Sequence, residues 1–171
     1  MGNRSGGIEM TLEETTVVTH ASPAWRERAN FIIATTIDTS GLDSPIGSEQ
    51  LWARQLGENT FEICCIPFFA YDLALGDVVE TGAEELRKYV VRRVLRQSGR
   101  YTFRVWFHDA AAKEEVPAKL QAMGCLLEAR WPQGNLLAID AESQPLAQRV
   151  ADFLWEGQKR GVLDYETGRT K

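Results

Sequence analysis

The sequence has few of the residues from which catalytic and metal-binding sites are usually built. Its 171 residues include only two histidines and three cysteines. The histidines lie far apart, outside HxH or HExxH spacing, and two of the cysteines are adjacent, so a zinc site or a paired disulfide framework is disfavoured. No Walker loop, GxSxG elbow or GxGxxG fingerprint is present. We therefore predict a protein with no metal, no cofactor and no catalytic residues.

Long apolar runs are lacking as well. No stretch approaches the roughly 20 apolar residues that a membrane-spanning helix requires, and residues 1–16 lack the apolar core of a signal peptide. The formal net charge of -5 disfavours binding to nucleic acid or anionic membranes, because both are recognised by cationic surfaces. These absences predict a cytoplasmic protein that does not associate with membranes and whose surface as a whole does not favour nucleic acid, although a local basic patch is still compatible with the sequence.

The stretch that says most about the fold is IPFFAYDLALGDVV, residues 66–79. Pro67 lacks a backbone N–H and fixes its own φ, so it fits best at a strand end or a bulge. Gly76-Asp77 has the composition of a tight turn, and a β-branched run follows it. This pattern predicts the corner of a small β-barrel.

The region around this corner, residues 25–100, is predicted to be a mainly β, barrel-like lobe. Its apolar and β-branched runs predict strands at 30–38, 50–56, 60–66 and 78–81. Residues 83–97 are ambiguous: their apolar residues recur at helical spacing, whereas the Tyr89-Val90-Val91 run is typical of a strand. We favour a strand there and keep a helix as the alternative.

The second half of the chain, residues 101–168, has the pattern of a ferredoxin-like unit. Alternating Phe103, Val105 and Phe107 predict a strand, followed in order by a helix, a two-stranded hairpin and a second helix. A short strand at 162–166 would complete the unit. We therefore predict an α+β fold, with a small barrel-like β half followed by a ferredoxin-like β-α-β-β-α half.

The first 24 residues differ in composition from the rest of the chain. They are rich in Gly, Thr and Glu, so little of this segment has apolar surface to bury. We predict that residues 1–24 form a flexible arm with one short ordered segment at 14–18, and that residues 169–171 are a short tail.

A basic run crosses the boundary between the two halves. From Arg87 to Arg104 the sequence contains seven basic residues and no acidic one. Lys88, Arg92 and Arg96, which we call the Arg strip, are spaced four apart and so share a face in a strand or a helix. One interpretation is a solvated face whose arginines pair with acidic residues elsewhere. The other is a strip that binds anions or steers a partner, which makes these three residues candidates for partner binding.

Five tryptophans are many for a chain of this length. Trp52, Trp106 and Trp155 lie within predicted elements and are interpreted as core anchors. Trp131 lies at a predicted hairpin tip, where it is either an interface anchor or folds back over its own sheet. The Asp164-Tyr165-Glu166 tail is a further candidate for partner binding.

Several of these runs occur together in a known family. The segments Ile66–Ala70 and Gly76–Val79, which form an IPFFA…LGDVV motif, together with Glu49–Arg54 and Leu136–Asp140, resemble a small bacterial family classed as a domain of unknown function. The resemblance covers about residues 28–168 and implies a short stand-alone cytoplasmic protein with no assigned catalytic residues. Some relatives are encoded near toxin genes, which implies an immunity role for part of the family.

The function that these observations favour is non-catalytic binding of another protein. Its most specific form is an immunity-type protein, which neutralises a partner toxin by covering the active site of the toxin. Two alternatives stay open: a ligand-sensing or nucleic-acid-associated regulatory module that uses the Arg strip, and an enzyme of unrecognised type.

Overall fold

The computed structural model describes residues 16–37, 46–131 and 134–170. These residues form the strands and helices β1 (Thr16–Val18), β2 (Phe31–Thr36), β3 (Ile46–Gly57), β4 (Thr60–Ile63), β5 (Val78–Glu84), β6 (Arg87–Arg96), β7 (Tyr101–Phe107), α1 (Ala110–Ala122), β8 (Leu126–Ala129), β9 (Leu136–Ala141), α2 (Gln144–Lys159) and β10 (Leu163–Thr167).

Five of the strands close into a β-barrel. Their order is β3-β2-β6-β5-β4, and β4 pairs again with β3 to complete the ring. β1 extends this sheet by pairing in parallel with the start of β3. Alternate residues of the strands point inward, and Ile33, Leu51 and Ala53 are buried for this reason. The predicted barrel-like half is thus confirmed as a closed five-stranded barrel.

The predicted corner connects β4 to β5. Gly76 has a φ of +84°, and a Cβ at this position would lie 3.1 Å from side-chain atoms of Trp25 and Ser98. Both the left-handed backbone and the close approach therefore require glycine. The Asp77 carboxylate fixes the turn by accepting hydrogen bonds from the backbone N–H groups of Ala74 (3.0 Å) and Ser98 (2.8 Å).

The second half is a four-stranded antiparallel sheet with strand order β10-β7-β9-β8. The two helices cover one face, where Val105, Ile139 and Val150 share an apolar core. The other face packs on the barrel, and Leu136 and Ala138 of β9 belong to the barrel core. Because both faces are covered, all six residues of β9 are buried. With β10 in place, the order β-α-β-β-α-β confirms the ferredoxin-like half.

Both helices begin at a polar cap. The side chain of Asp109 accepts a hydrogen bond from the N–H of Ala112, and that of Ser143 accepts one from the N–H of Leu146. Among the described residues, no helix is both long enough and apolar enough to cross a membrane.

Two segments bear on how the site is built. The strand prediction for residues 83–97 is confirmed, since β6 occupies most of that range. Residues 16–24 are not a free arm: β1 pairs with β3, and Val18 and His20 are 0% and 3% exposed. The polar composition suggested an exposed segment, but His20 has buried partners of its own. Residues 1–15 lie outside the described part of the chain.

Candidate protein-interaction surface

A buried histidine lies between two buried carboxylates from different halves of the molecule. Nε2 of His20 lies 2.8 Å from Glu49 Oε1 in β3, and Nδ1 lies 2.7 Å from Glu128 Oε1 in β8. All three side chains are at most 2% exposed, and the His20 ring stacks on Phe68 with centroids 4.4 Å apart. We call His20, Glu49 and Glu128 the His20 clamp.

The same two carboxylates hold the irregular segment that begins at Ile66. Glu49 accepts hydrogen bonds from the three consecutive N–H groups of residues 68–70 at 2.6, 3.0 and 3.0 Å. Glu128 accepts from the N–H groups of Ile66 and, at 3.3 Å, Ala24. Buried backbone donors outside helices and strands need such partners. The clamp therefore ties together the N-terminal segment, the barrel, the corner segment and the second sheet.

The contacts within the clamp favour the charged forms of His20 and Glu49. Burial acts to lower the pKa of His20, but the contacts with Cys65 and the hydrogen bonds to Glu128 and Glu49 outweigh this effect and raise that pKa well above its ordinary value; because Cys65 is a thiol at neutral pH, the two carboxyl groups are the contacts that count there. Burial acts to raise the pKa of Glu49, but the contacts with His20 and the backbone N–H groups of residues 68 and 69 lower it overall. A protonated His20 can donate from both ring nitrogens to the two carboxyl groups, and the sealed position of the clamp indicates a positioning role.

The cysteines do not supply an activated nucleophile. All three are free and buried. Burial raises the pKa of the thiols of Cys64 and Cys125 to about 11, and it raises that of Cys65 as well. They are therefore protonated at neutral pH, whereas a nucleophilic cysteine needs a depressed pKa. Within the described ranges, no group of three His, Cys, Asp or Glu residues is arranged to hold a metal ion.

The clamp positions a tryptophan on the outer surface of the barrel. Trp52 follows the inward-facing Leu51 in β3, so its side chain points outward and is only half-buried. Its Nε1–H donates a hydrogen bond of 3.0 Å to the backbone oxygen of His20. The guanidinium carbon of Arg26 lies over the indole, 5.8 Å from the ring centroid. The indole is thus held at one edge by the clamp segment and covered by a cation.

An exposed isoleucine extends this tryptophan into an apolar surface. Ile32 is directly opposite Trp52 in the β2–β3 ladder and is 46% exposed. An open depression of about 520 Å³ lies here, lined by residues 29–32 and Trp52. We call Arg26, residues 29–32 and Trp52 the Trp52 surface.

The positive charge on this surface has no ion-pair partner among the described residues. Arg28 and Arg54 both lie within ion-pair distance of Glu62, at 2.9 and 3.4 Å. Arg26 is exposed, and no carboxylate among the described residues pairs with it. Arg26 is therefore available to bind an external acceptor.

Comparison with known proteins places the chain in a family. Residues 49–165 match the model of a domain of unknown function, DUF4265, which is more than half of the 171 residues. The chain belongs to the DUF4265 family. This confirms the resemblance to a domain of unknown function. The DUF4265 match includes Trp52 and both carboxylates of the His20 clamp, and it begins after Arg26 and Ile32.

A solved structure shares this DUF4265 fold. The chain is similar to the crystal structure of a hypothetical protein from Neisseria gonorrhoeae, with a TM-score of 0.68 and 21% sequence identity. The alignment covers 82% of this chain and 96% of that chain. At this identity the likeness shows the fold alone. A comparison with curated proteins gives no match.

In the DUF4265 domain, the Arg strip is not a uniform basic face. Lys88, Arg92 and Arg96 are all exposed. The β5–β6 register shifts at Arg92 and again before Arg96, and such bulges break the alternation that would place residues four apart on one face. Arg92 donates to the backbone oxygen of Ala83 and lies 3.8 Å from Glu84, so β5 partly neutralises the strip.

Arg104, the last residue of the basic run, is fully buried. Its guanidinium donates to the backbone oxygens of Pro67 and Ala70 and lies 3.2 Å from Glu166. Glu166 also accepts hydrogen bonds from the hydroxyl of Tyr71 at 2.7 and 2.8 Å. Arg104 and Glu166 therefore fasten the corner segment to the second sheet.

The other candidate residues lie at the far end of β7. Trp131 is 36% exposed, its ring is 6.1 Å from that of Phe107, and Nζ of Lys113 lies 4.3 Å from its centroid. Oδ2 of Asp164 lies 2.7 Å from Nε2 of His108, and both side chains are exposed. His108 and Lys113 also line an open groove of about 210 Å³. The neighbouring Tyr165 packs partly against the helix-side core.

Sequence reasoning did not indicate the two residues that make the Trp52 surface distinctive, Arg26 and Ile32. Trp52 was interpreted as a core anchor, and Trp52 and Trp106 are indeed partly buried against the barrel core, but the exposed part of the Trp52 ring was not foreseen. Trp155, interpreted in the same way, is 49% exposed. One signal was available. Ile32 and Ile33 are adjacent in a strand, so one of the two must face outward.

Proposed function

We propose that this protein is a non-catalytic binding protein whose Trp52 surface contacts another protein. The observation that carries the proposal is the half-exposed Ile32 beside Trp52, with Arg26 covering the indole and lacking an ion-pair partner among the described residues. Tryptophan and arginine are enriched among the residues that contribute most to protein–protein binding, especially next to apolar contacts.

The rigidity of the surface supports the proposal. Asn30 is fixed from both sides, since its N–H donates to the backbone oxygen of Ala53 (3.0 Å) and its side-chain oxygen accepts from the N–H of Gln55 (2.9 Å). Trp52 is fixed by its hydrogen bond to His20. A preorganised surface loses less conformational entropy when it binds, so more of the contact energy contributes to affinity.

The narrower form of the proposal is an immunity-type protein that acts in the cytoplasm and neutralises a partner toxin by covering its active site. Such a role needs a rigid surface that offers apolar area and charge to a partner rather than catalytic groups, and the Trp52 surface combines fixed side chains, an apolar depression and a cation. The resemblance drawn from the sequence implies that some relatives are encoded near toxin genes, and this implication is what favours the immunity form of the proposal.

The experiment begins with capture of the partner by the full chain in the native host, followed by reconstitution of the pair from purified proteins. Calorimetry then compares the wild type with Ile32→Gln and with Leu95→Gln. Leu95 is a matched control, because it is 45% exposed, as Ile32 is, but lies on β6 beside the Arg strip. We expect Ile32→Gln to weaken binding by about fivefold or more, as for a residue that contributes over 1 kcal/mol.

The result that refutes the assignment is equally specific. If Leu95→Gln weakens binding and Ile32→Gln does not, the interface is the Arg strip. If the captured partner is chemically altered with turnover, the protein is an enzyme. The immunity form requires, in addition, that one equivalent of this protein abolish an enzymatic activity of the partner.

A further inference from the structure

We infer that the partner presents a carboxylate next to an apolar side chain to the Trp52 surface. The inference rests on the proposed function and specifies the chemistry of the partner. In this arrangement the carboxylate binds Arg26, and the apolar side chain enters the depression between Ile32 and Trp52.

The case for a carboxylate begins with the guanidinium of Arg26. The donors of a guanidinium lie in its own plane and point away from its central carbon, so a guanidinium that lies over an aromatic ring can still offer N–H groups to an acceptor. The two nearby arginines illustrate the alternative, because Arg28 and Arg54 both have Glu62 within ion-pair distance. Arg26 lacks such a partner among the described residues, and a carboxylate matches its donors in a bidentate geometry.

Local charge favours the same partner. The chain has a formal net charge of -5, whereas Arg26 places on this surface a positive charge with which no carboxylate among the described residues pairs. A local charge that opposes the sign of the whole protein orients a partner as it approaches, and this effect weakens with salt.

The apolar half of the inference rests on Ile32. Its side chain is 46% exposed, and the depression beside it is lined largely by apolar groups of residues 29–32 and Trp52. An apolar side chain placed there removes apolar surface from water on both partners, which favours binding. The depression is open and shallow, so it suits a side chain of a larger partner.

Nucleic acid fits this surface less well. Binding to nucleic acid relies on several cations that neutralise phosphates and on exposed aromatic faces for base stacking. On this surface Arg26 is the cation available to a ligand, and it already covers the indole of Trp52.

The test uses a random-peptide phage library selected on the immobilised full chain. Peptides enriched on the wild type should contain Asp or Glu beside Leu, Ile, Met or Phe. For a synthetic copy of an enriched peptide, Arg26→Glu should weaken binding by about tenfold or more, because hydrogen bonds between charged groups contribute more to affinity than those between neutral groups. Replacing the acidic residue of the peptide by lysine should restore binding to Arg26→Glu. Arg93→Glu is the charge-matched control, because Arg93 is already paired with Glu80, and it should leave affinity unchanged.

The outcomes separate this inference from the proposed function. If the enriched peptides lack acidic residues but do not bind the Ile32→Gln variant, the proposed binding surface is supported and the inference of an acidic partner is refuted. If peptides bind Arg26→Glu and wild type equally, or if none is enriched on the wild type over Ile32→Gln, the inference is refuted as well. Binding of a labelled single-stranded oligonucleotide that Arg26→Glu abolishes would overturn it in favour of nucleic acid.

Discussion

Replacing His20 by alanine should lower the free energy of unfolding by about 3–5 kcal/mol, because it leaves two buried carboxylates without their cation. The backbone N–H groups that Glu49 and Glu128 accept from remain, so the loss is far smaller than for an isolated buried charge. The stack on Phe68 is lost as well, and such pairs contribute about 0.5–1.5 kcal/mol. Against a typical total of about 5–15 kcal/mol, this is a large fraction.

The chain provides a matched control for this substitution. His108 is the second of its two histidines and also lies 2.7 Å from a carboxylate, but both members of its pair are exposed. His108→Ala should therefore cost no more than about 1 kcal/mol. Urea titrations followed by tryptophan fluorescence give both values by linear extrapolation. If His20→Ala costs no more than His108→Ala, the reasoning from the buried charged clamp is refuted.

Three further predictions follow from the described contacts. Folding raises the pKa of His20, so the stability that its charge contributes is complete below the pKa of the unfolded state and should disappear as the pH rises through the raised value. Urea titrations across pH should show this decline in the wild type and not in His20→Ala. Gly76→Val should cost more than about 2 kcal/mol in thermal unfolding, and clearly more than Gly99→Val, since Gly99 has a similar φ of +82° but a Cβ there would meet no non-neighbouring atom within 4 Å. Arg104→Met should cost about 1–3 kcal/mol by urea titration, because the buried backbone oxygens of Pro67 and Ala70 lose their donor while Glu166 stays partly exposed, and an unchanged midpoint would contradict this.

Much of the fold was predictable because the second half follows simple periodicity. Phe103, Val105 and Phe107 alternate along β7 and all belong to the helix-side core. The barrel corner was predictable because Gly76-Asp77 has the chemistry of a turn that needs positive φ. In both cases the decisive neighbours are close in sequence.

The His20 clamp could not be predicted, because its members are distant in sequence. The partners of His20 lie 29 and 108 residues away, and no spacing rule connects them. A histidine in a polar segment is typical of an exposed arm, so removing residues 2–24 would have been expected to leave the fold intact. Since Val18 and His20 are buried, that deletion should instead destabilise it. The burial of Arg104 could not be predicted for a related reason. Arg104 alternates with core residues of β7 and so lies on the opposite face of the sheet, and that face is buried only because the barrel packs on it.

One imidazole that serves two halves of the molecule also constrains how the protein opens. Glu49 belongs to the barrel and Glu128 to the second sheet, so neither half can separate without breaking a buried contact to His20. Opening free energies vary across a protein, and amides held only by local structure exchange with solvent first. The N–H groups of residues 68–70 have no regular strand or helix to protect them, yet their hydrogen exchange should be as slow as that of the barrel core. Barrel and sheet should then unfold in one cooperative transition despite their separate architectures.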